Sequence, residues 1–250
     1  MTPLEALLVV AAGLAAGTIN TIVGSGSLIT FPALLALGYS PIVANVSNTV
    51  GLVPGSVSGV VGYRRELRGQ RDRVLRLVVA GGIGGLTGGL LLLALPSDAF
   101  ERVVPYLILG ATLLVAIGPR LARRMAERRA RGGGHGPALA ASVYATGIYG
   151  GYFGAAQGVI LIALLGVFVD DHIQRLNAAK NVIAAVVNAV AAVLFLVVAP
   201  VDPLVALLIA AGSIVGGQLG AAVGRRLPAT ALRGAIIVIG TLVGVRLLIG

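Results

Sequence analysis

Two glycine-rich interruptions carry the residue types best suited to hold a small anion. The first is Gly24-Ser25-Gly26-Ser27, and the second runs from Gly150-Gly151 through Gly154 to Gln157-Gly158. Each precedes a short apolar run. A helix starting there would present unpaired backbone N–H groups, which attract an anion without any charged side chain. Ser25 and Ser27 add hydroxyl donors to the first break, and Gln157 adds an amide donor to the second. The bland reading of these glycines is close helix packing. Two breaks at equivalent places, each before a short segment, favour a site over packing alone.

Asn45, Ser47, Asn48 and Thr49 cluster inside an otherwise apolar run, and Asn177, Lys180, Asn181 and Asn188 do the same further on. Polar groups at such depth are costly and usually face a bundle interior or an aqueous path. Interhelical hydrogen bonding is the competing reading. Asn48, Thr49, Asn177 and Asn181 are therefore candidate lining residues. Lys180, the only lysine, either supplies positive charge near the anion or snorkels to headgroups. Arg175 and Arg246 read as interfacial.

Other chemistry is poorly supplied. There is no cysteine, and the two histidines are His135, in a glycine linker, and His172, beside Asp170-Asp171. That set is too small for a metal centre. An intramembrane enzyme needs a nucleophile–base pair or metal ligands at depth, and neither is visible. No catalytic residue, metal or cofactor is expected. None of the nine acidic residues sits at the centre of an apolar run. Coupling through an intramembrane carboxylate is therefore less favoured than uniport or another coupling group.

The elements that must position these residues are membrane helices. Hydrophobic residues make up 57% of the 250 and charged residues only 11%, against about a quarter charged in soluble domains. The length corresponds to about eight to ten membrane segments of roughly 20 residues. Ten apolar runs are visible, near 4–23, 27–38, 41–62, 74–95, 99–118, 137–153, 156–169, 173–198, 203–224 and 229–249. The runs 27–38 and 156–169 are too short to span comfortably. Each follows a break, so each half is expected to open with a broken re-entrant helix or a helical hairpin, its irregular backbone covered by protein or a cavity. The first run lacks a basic leader and reads as a mature helix rather than a signal peptide.

The net charge of +10 comes from arginines in short loops. Arg64, Arg65, Arg68, Arg71, Arg73 and Arg76 form one cluster. Arg120, Arg123, Arg124, Arg128, Arg129 and Arg131 form another, and Arg225-Arg226 a third. Positive loops face the cytoplasm and its anionic headgroups, and no reading motif points to nucleic acid. Counting crossings from these loops places both termini outside a multi-pass protein of the cell membrane.

The chain also repeats itself. Gly84, Gly85, Gly88 and Pro96 recur as Gly216, Gly217, Gly220 and Pro228 at one offset. Gly17 and Gly24 match Gly147 and Gly154, and Asn48 matches Asn181. With five segments per half, the second half is expected to be inverted relative to the first. That architecture places a site where the interruptions meet near the midplane. The expected divisions are residues 1–118 as the first membrane repeat, 119–136 as a basic cytoplasmic linker and 137–250 as the second repeat.

The stretch from Gly17 to Tyr63 contains Gly24-Ser25-Gly26, Pro32, the Gly38-Tyr39-Ser40-Pro41 turn, Asn48 and the Tyr63-Arg64-Arg65 exit. It resembles the TauE/SafE family of sulfite exporter-type permeases, as do Gly150-Gly151, Gly154 and Leu176-Asn177-Ala178-Ala179-Lys180-Asn181 in the second half. Ser25 stands where a run of glycines would be more typical. The resemblance implies export of a small anion such as sulfite, or an organosulfonate such as sulfoacetate, by alternating access between the repeats. Gly24, Ser25, Gly26, Ser27, Asn48, Thr49, Gly154, Gln157, Gly158, Asn177, Lys180 and Asn181 are then the expected substrate-binding residues. Expected partners are the anion and the lipid bilayer, with a homodimer left open. The competing classes are a channel-like anion pore and an intramembrane assembly factor without transport activity.

Overall fold

The structure, a computed structural model, describes residues 1–129, 136–224 and 229–249, with side chains 121–129, 229–232 and 235 excepted. Arg131, His135, Arg225, Arg226 and Pro228 lie outside the described residues, as do the side chains of Arg123, Arg124, Arg128 and Arg129. Every regular element described is an α-helix. In chain order they are α1 (Pro3–Ile22), α2 (Ser27–Ala36), α3 (Pro41–Gly62), α4 (Arg71–Ala94) and α5 (Ser97–Arg129). There follow α6 (Gly136–Tyr152), α7 (Gln157–Phe168), α8 (Ile173–Val198), α9 (Pro203–Val223) and α10 (Ala229–Ile249). All ten apolar runs are helices. Two extend beyond the apolar reading: α4 takes in Arg71 and Arg73, and α5 runs past 118 into the basic linker. Arginine is a good helix former, so a helix need not stop where its apolar surface does.

Among the described residues, five helices are long and apolar enough to cross a membrane: α1, α4, α8, α9 and the Ser97–Arg120 part of α5. Helix α3 has the length, but Asn45, Ser47, Asn48 and Thr49 dilute its apolar character. Helices α2 and α7 have only 10 and 12 residues.

Local sequence explains the helix ends. Thr2 and Glu5 form a reciprocal cap on α1: the Glu5 N–H donates to Thr2 Oγ1 (3.2 Å) and the Thr2 N–H to Glu5 Oε2 (2.7 Å), which satisfies two orphan donors. Asp202 caps α9 by accepting from the Leu204 and Val205 N–H groups. His172 caps α8 through Nδ1, which accepts from the Gln174 N–H; its ring thus has a helix-end role.

Small residues set the packing. Helix α1 lies along α9 with Gly13 on Ile209, Gly17 on Ser213 and Thr18 on Gly220, so the two run parallel. Helix α4 lies along α6 in the same sense, with Gly84 on Tyr144 and Gly147, and Gly88 on Ile148. At Gly88 an added Cβ would stand 1.9 Å from the Ile148 carbonyl oxygen. Backbones this close require glycine, as in other membrane helix pairs. Helix α3 packs on α9 and α8 on α4; α5 packs on α7 and α10 on α2. Thus the first helix of each set of five lies along the fourth of the other, and the same exchange holds for third with fourth and fifth with second.

Candidate functional site

The two breaks terminate their helices in the same way. After α1, the Val23 and Gly24 N–H groups both donate to the Ile19 carbonyl (2.7 and 3.1 Å). After α6, the Phe153 and Gly154 N–H groups both donate to the Tyr149 carbonyl (3.0 Å each). Gly24 (φ +85°) and Gly154 (φ +76°) adopt the left-handed conformation that glycine takes without steric cost. The second break holds a further left-handed residue, Ala156 (φ 59°), immediately before α7. An alanine there stores roughly 1 kcal/mol of backbone strain. The chain then turns back: Gly26 packs against Ala16 and Asn20 of α1, and Leu37, Gly38 and Tyr39 come beside Met1 and Glu5.

The two breaks meet. The Gly158 N–H donates to the Gly24 carbonyl at 3.0 Å, and a Cβ on Gly24 would stand 2.3 Å from the Gly158 Cα. Ser25 is fully buried beside this contact and Gln157 is 3% exposed. Ser25 Oγ and Gln157 Nε2 have no hydrogen-bond partner among the described residues. Buried polar atoms are nearly always paired, so these two donors, next in the chain to Gly24 and Gly158, are candidates for a binding role.

The backbone donors of the two breaks are used in nearly the same way, apart from the bond of Gly158 to Gly24. At the start of α7, the Gln157 N–H bonds to the Gly154 carbonyl, Gly158 to Gly24, and Val159 to Ala156. Ahead of them, the N–H groups of Ala155 and Ala156 meet no backbone carbonyl among the described residues. At the first break, the Leu28 and Ile29 N–H groups likewise bond to the Ser25 and Gly26 carbonyls, and those of Ser25, Gly26 and Ser27 meet no backbone carbonyl among the described residues.

The polar clusters surround the breaks. Asn48 joins α3 to α2: Thr30 Oγ1 donates to its Oδ1, and its Nδ2 donates to Ser27 Oγ at 3.2 Å. Thr49 is turned onto its own helix, donating to the Asn45 carbonyl. Asn45 Nδ2 donates to the Tyr152 carbonyl (3.0 Å), tying α3 to the end of α6. Ser47 accepts from the Asp202 N–H, anchoring the loop before α9. On α8, Asn177 and Asn181 each donate from Nδ2 to the Thr21 carbonyl at 3.2 Å. Lys180 Nζ reaches the Asn20 and Thr21 carbonyls at 3.2 and 3.3 Å. Lys180 is 1% exposed, so it does not snorkel; it lies on the end of α1. Asn188 is half-buried.

Two features had no motif to announce them. Phe31, Phe100, Tyr152 and Phe153 form an edge-to-face aromatic group beside the second break, with centroids 5.3–6.2 Å apart. A cavity of about 210 Å³ lies between α1, α5, α7, α8 and α10, lined by Asn177, Gln174 and Arg233. It reaches Val23 and Val159, the neighbours of Gly24 and Gly158. Beyond the site, Asp171 accepts from Arg73 (2.8 Å) and Arg175 (2.7 Å). Burial pushes its carboxyl up, but hydrogen bonds from Arg73, the His172 N–H and Arg175 outweigh that and hold it below the usual range. Arg175 also donates to the Arg68 carbonyl, so this cluster fastens the first basic loop to the start of α8. Among the described residues no group of three metal-ligating side chains occurs.

The sequence pattern of the family described as "Sulfite exporter TauE/SafE" matches residues 9–247. Among curated proteins, the chain is 30% identical over 175 residues to the "Probable membrane transporter protein YfcA" of Escherichia coli (strain K12). That match covers 67% of this chain and 64% of the relative, a little under two thirds of its length. The chain is 28% identical to a "Probable membrane transporter protein" of Haemophilus influenzae, covering 84% of this chain and 81% of that one. It is 27% identical to the "Probable membrane transporter protein ORF9" of Sinorhizobium sp, covering 98% and 92%. No solved structure matches.

Proposed function

This chain belongs to the sulfite exporter TauE/SafE family, and on that premise we propose that it is a multi-pass carrier that exports a small anion, sulfite or an organosulfonate such as sulfoacetate. The anion sits at the junction of the two helix breaks. Ser25 Oγ, Gln157 Nε2 and the N–H groups of Ser25, Gly26 and Ser27 donate to it. Asn48 orients Ser27, and Asn177, Lys180 and Asn181 fix the end of α1 behind the site. The observation that carries this reading is the pair of buried donors without a hydrogen-bond partner among the described residues, Ser25 Oγ and Gln157 Nε2, next in the chain to Gly24 and Gly158, which are in contact.

The halves act as inverted repeats with both termini outside. The exchange of helix partners between the two sets of five supports this reading, as does the meeting of equivalent breaks. Alternating access then consists of the breaks parting toward one side and closing toward the other. The cavity at Val23 and Val159 is the path toward the basic, cytoplasmic face.

Flux of sulfite and sulfoacetate into proteoliposomes tests the proposal. Saturable flux is expected. Ser25→Ala and Gln157→Ala each remove a donor to a charged ligand, about 1.5–3 kcal/mol, and should raise KM roughly 10- to 100-fold in protein that still folds. Absence of flux for any anion refutes transport. Flux that does not saturate favours an open pore, and unchanged KM in both variants moves the site elsewhere.

A further inference from the structure

The end of α1 has the features of a cation site. A helix that stops at Gly24 leaves the Asn20 and Thr21 carbonyls without their usual N–H partners, because the Gly24 N–H has gone to Ile19. These oxygens lie at the negative end of the helix dipole. Donors converge on them from α8: Asn177, Lys180 and Asn181 all reach the Thr21 carbonyl, and Lys180 also reaches that of Asn20. A carbonyl oxygen has two lone pairs, so three donors at 3.2–3.3 Å fill the acceptor capacity of the Thr21 oxygen. In interrupted membrane helices, such C-terminal carbonyls are where a coupling cation is coordinated.

The equivalent end of α6 is different. Its Tyr152 carbonyl is met by the neutral Asn45 amide. The match of Asn48 with Asn181 pairs Lys180 with Ser47, which instead holds the Asp202 N–H. Only one of the two similarly built helix ends is met by an ionisable side chain. A side chain that merely staples a helix end could be neutral, as Asn45 is. An ammonium buried to 1% exposure carries a large desolvation cost, and among the described residues it forms no salt bridge with a carboxylate.

We infer that Lys180 is a tethered cation: its ammonium fills the place that the Asn20 and Thr21 carbonyls would otherwise offer to sodium or potassium, and the protein works without either ion. The inference concerns the cation requirement at this helix end, and its relevance to transport rests on the carrier reading above.

Thermal unfolding of the purified full chain in detergent, with no anion substrate, tests the inference apart from that reading. Wild-type stability should be the same in sodium, potassium and choline chloride. Lys180→Ala should unfold at a lower temperature, and n-propylammonium should restore at least half of the loss while n-propanol restores none. A purely structural lysine would not distinguish the charged probe from the neutral one. Lys180→Met, which keeps much of the side-chain volume, should be destabilised as well and gain nothing from either probe. Wild-type stabilisation by sodium or potassium over choline overturns the inference. So does Lys180→Met as stable as wild type, or equal rescue by propanol. In proteoliposomes, wild-type flux should be unchanged when choline replaces sodium and potassium; flux that requires either ion also overturns it.

Discussion

The contact between the two breaks can be tested by replacing Gly24 with alanine, with a control in the same protein. Gly24 and Gly38 both adopt left-handed backbone, at φ +85° and +87°. Alanine at either position therefore meets the same backbone cost, about 1–2 kcal/mol. Their surroundings differ. Nothing lies within 4 Å of a Cβ on Gly38, whereas one on Gly24 would stand 2.3 Å from the Gly158 Cα. The neighbour is backbone and cannot rotate away. Ordinary carbon contacts begin near 3.5 Å, so the breaks must separate by about 1 Å. That breaks the 3.0 Å bond from the Gly158 N–H to the Gly24 carbonyl, leaving buried groups unpaired at about 1–3 kcal/mol. Gly24→Ala should thus cost about 2–5 kcal/mol in total and Gly38→Ala about 1–2. Gly158→Ala, in helical backbone with the Gly24 Cα 2.4 Å away, isolates the contact contribution. Unfolding of the three variants in detergent measures the difference. Equal loss for Gly24→Ala and Gly38→Ala, with Gly158→Ala near wild type, would refute the packed junction.

Two further outcomes follow from the same geometry. Asn45→Ala removes the described side-chain donor to the Tyr152 carbonyl, whereas Asn181→Ala leaves the Thr21 carbonyl with Asn177 and Lys180. The first should cost about 1–3 kcal/mol and the second clearly less, and unfolding temperatures that rank the other way contradict this. Asp171→Asn removes ion pairs to Arg73 and Arg175 that are partly screened by solvent, worth about 1 kcal/mol or less. The folded Asp171 carboxyl is held below the usual range. Its contribution is therefore complete above the unfolded value of about 3.9 and vanishes as pH falls through the lower folded one. Wild type and variant should differ at neutral pH and converge in acid. A difference that persists unchanged at the lowest pH assigns the effect to something other than these pairs.

The helices were legible because their signal is local. An apolar run bounded by glycine, proline or arginine reports its own extent, and the ten runs correspond to ten helices. The reading failed where composition and backbone part company, at Arg71 and beyond residue 118. The breaks were legible for a related reason, since glycine at Gly24 and Gly154 is dictated by the left-handed backbone at those positions. What each break touches was not legible. The Gly24–Gly158 contact joins residues in different sets of five helices, and no spacing within either segment encodes it. The same holds for Asn177, Lys180 and Asn181. Their types announced a costly polar cluster, but their shared partner is a backbone carbonyl on α1, and a carbonyl has no sequence signature. The aromatic group around Phe153 is silent in the same way, because its members come from α2, α5 and the second break.

The bond from Gly158 to Gly24 bears on the mechanism. The sequence places two similar helix starts opposite one another, and two equivalent anion sites would be the symmetric outcome. Instead Leu28 and Gly158, which hold matching places, differ: the Leu28 N–H bonds to the Ser25 carbonyl of its own break, whereas the Gly158 N–H crosses to the Gly24 carbonyl of the other. On the proposed reading, an anion at the junction is held by Ser25, Gly26 and Ser27 of the first break and by Gln157 of the second. The Gly158 N–H becomes available only when the Gly24–Gly158 bond opens. An anion that then accepts from Gly158 replaces one hydrogen bond with a charge-assisted one, which is the stronger kind. Ligand binding and separation of the breaks are thereby coupled through a single N–H. A ligand shifts a conformational equilibrium only by its difference in affinity for the two states, and this donor, closed to the anion in one state and open in the other, supplies such a difference.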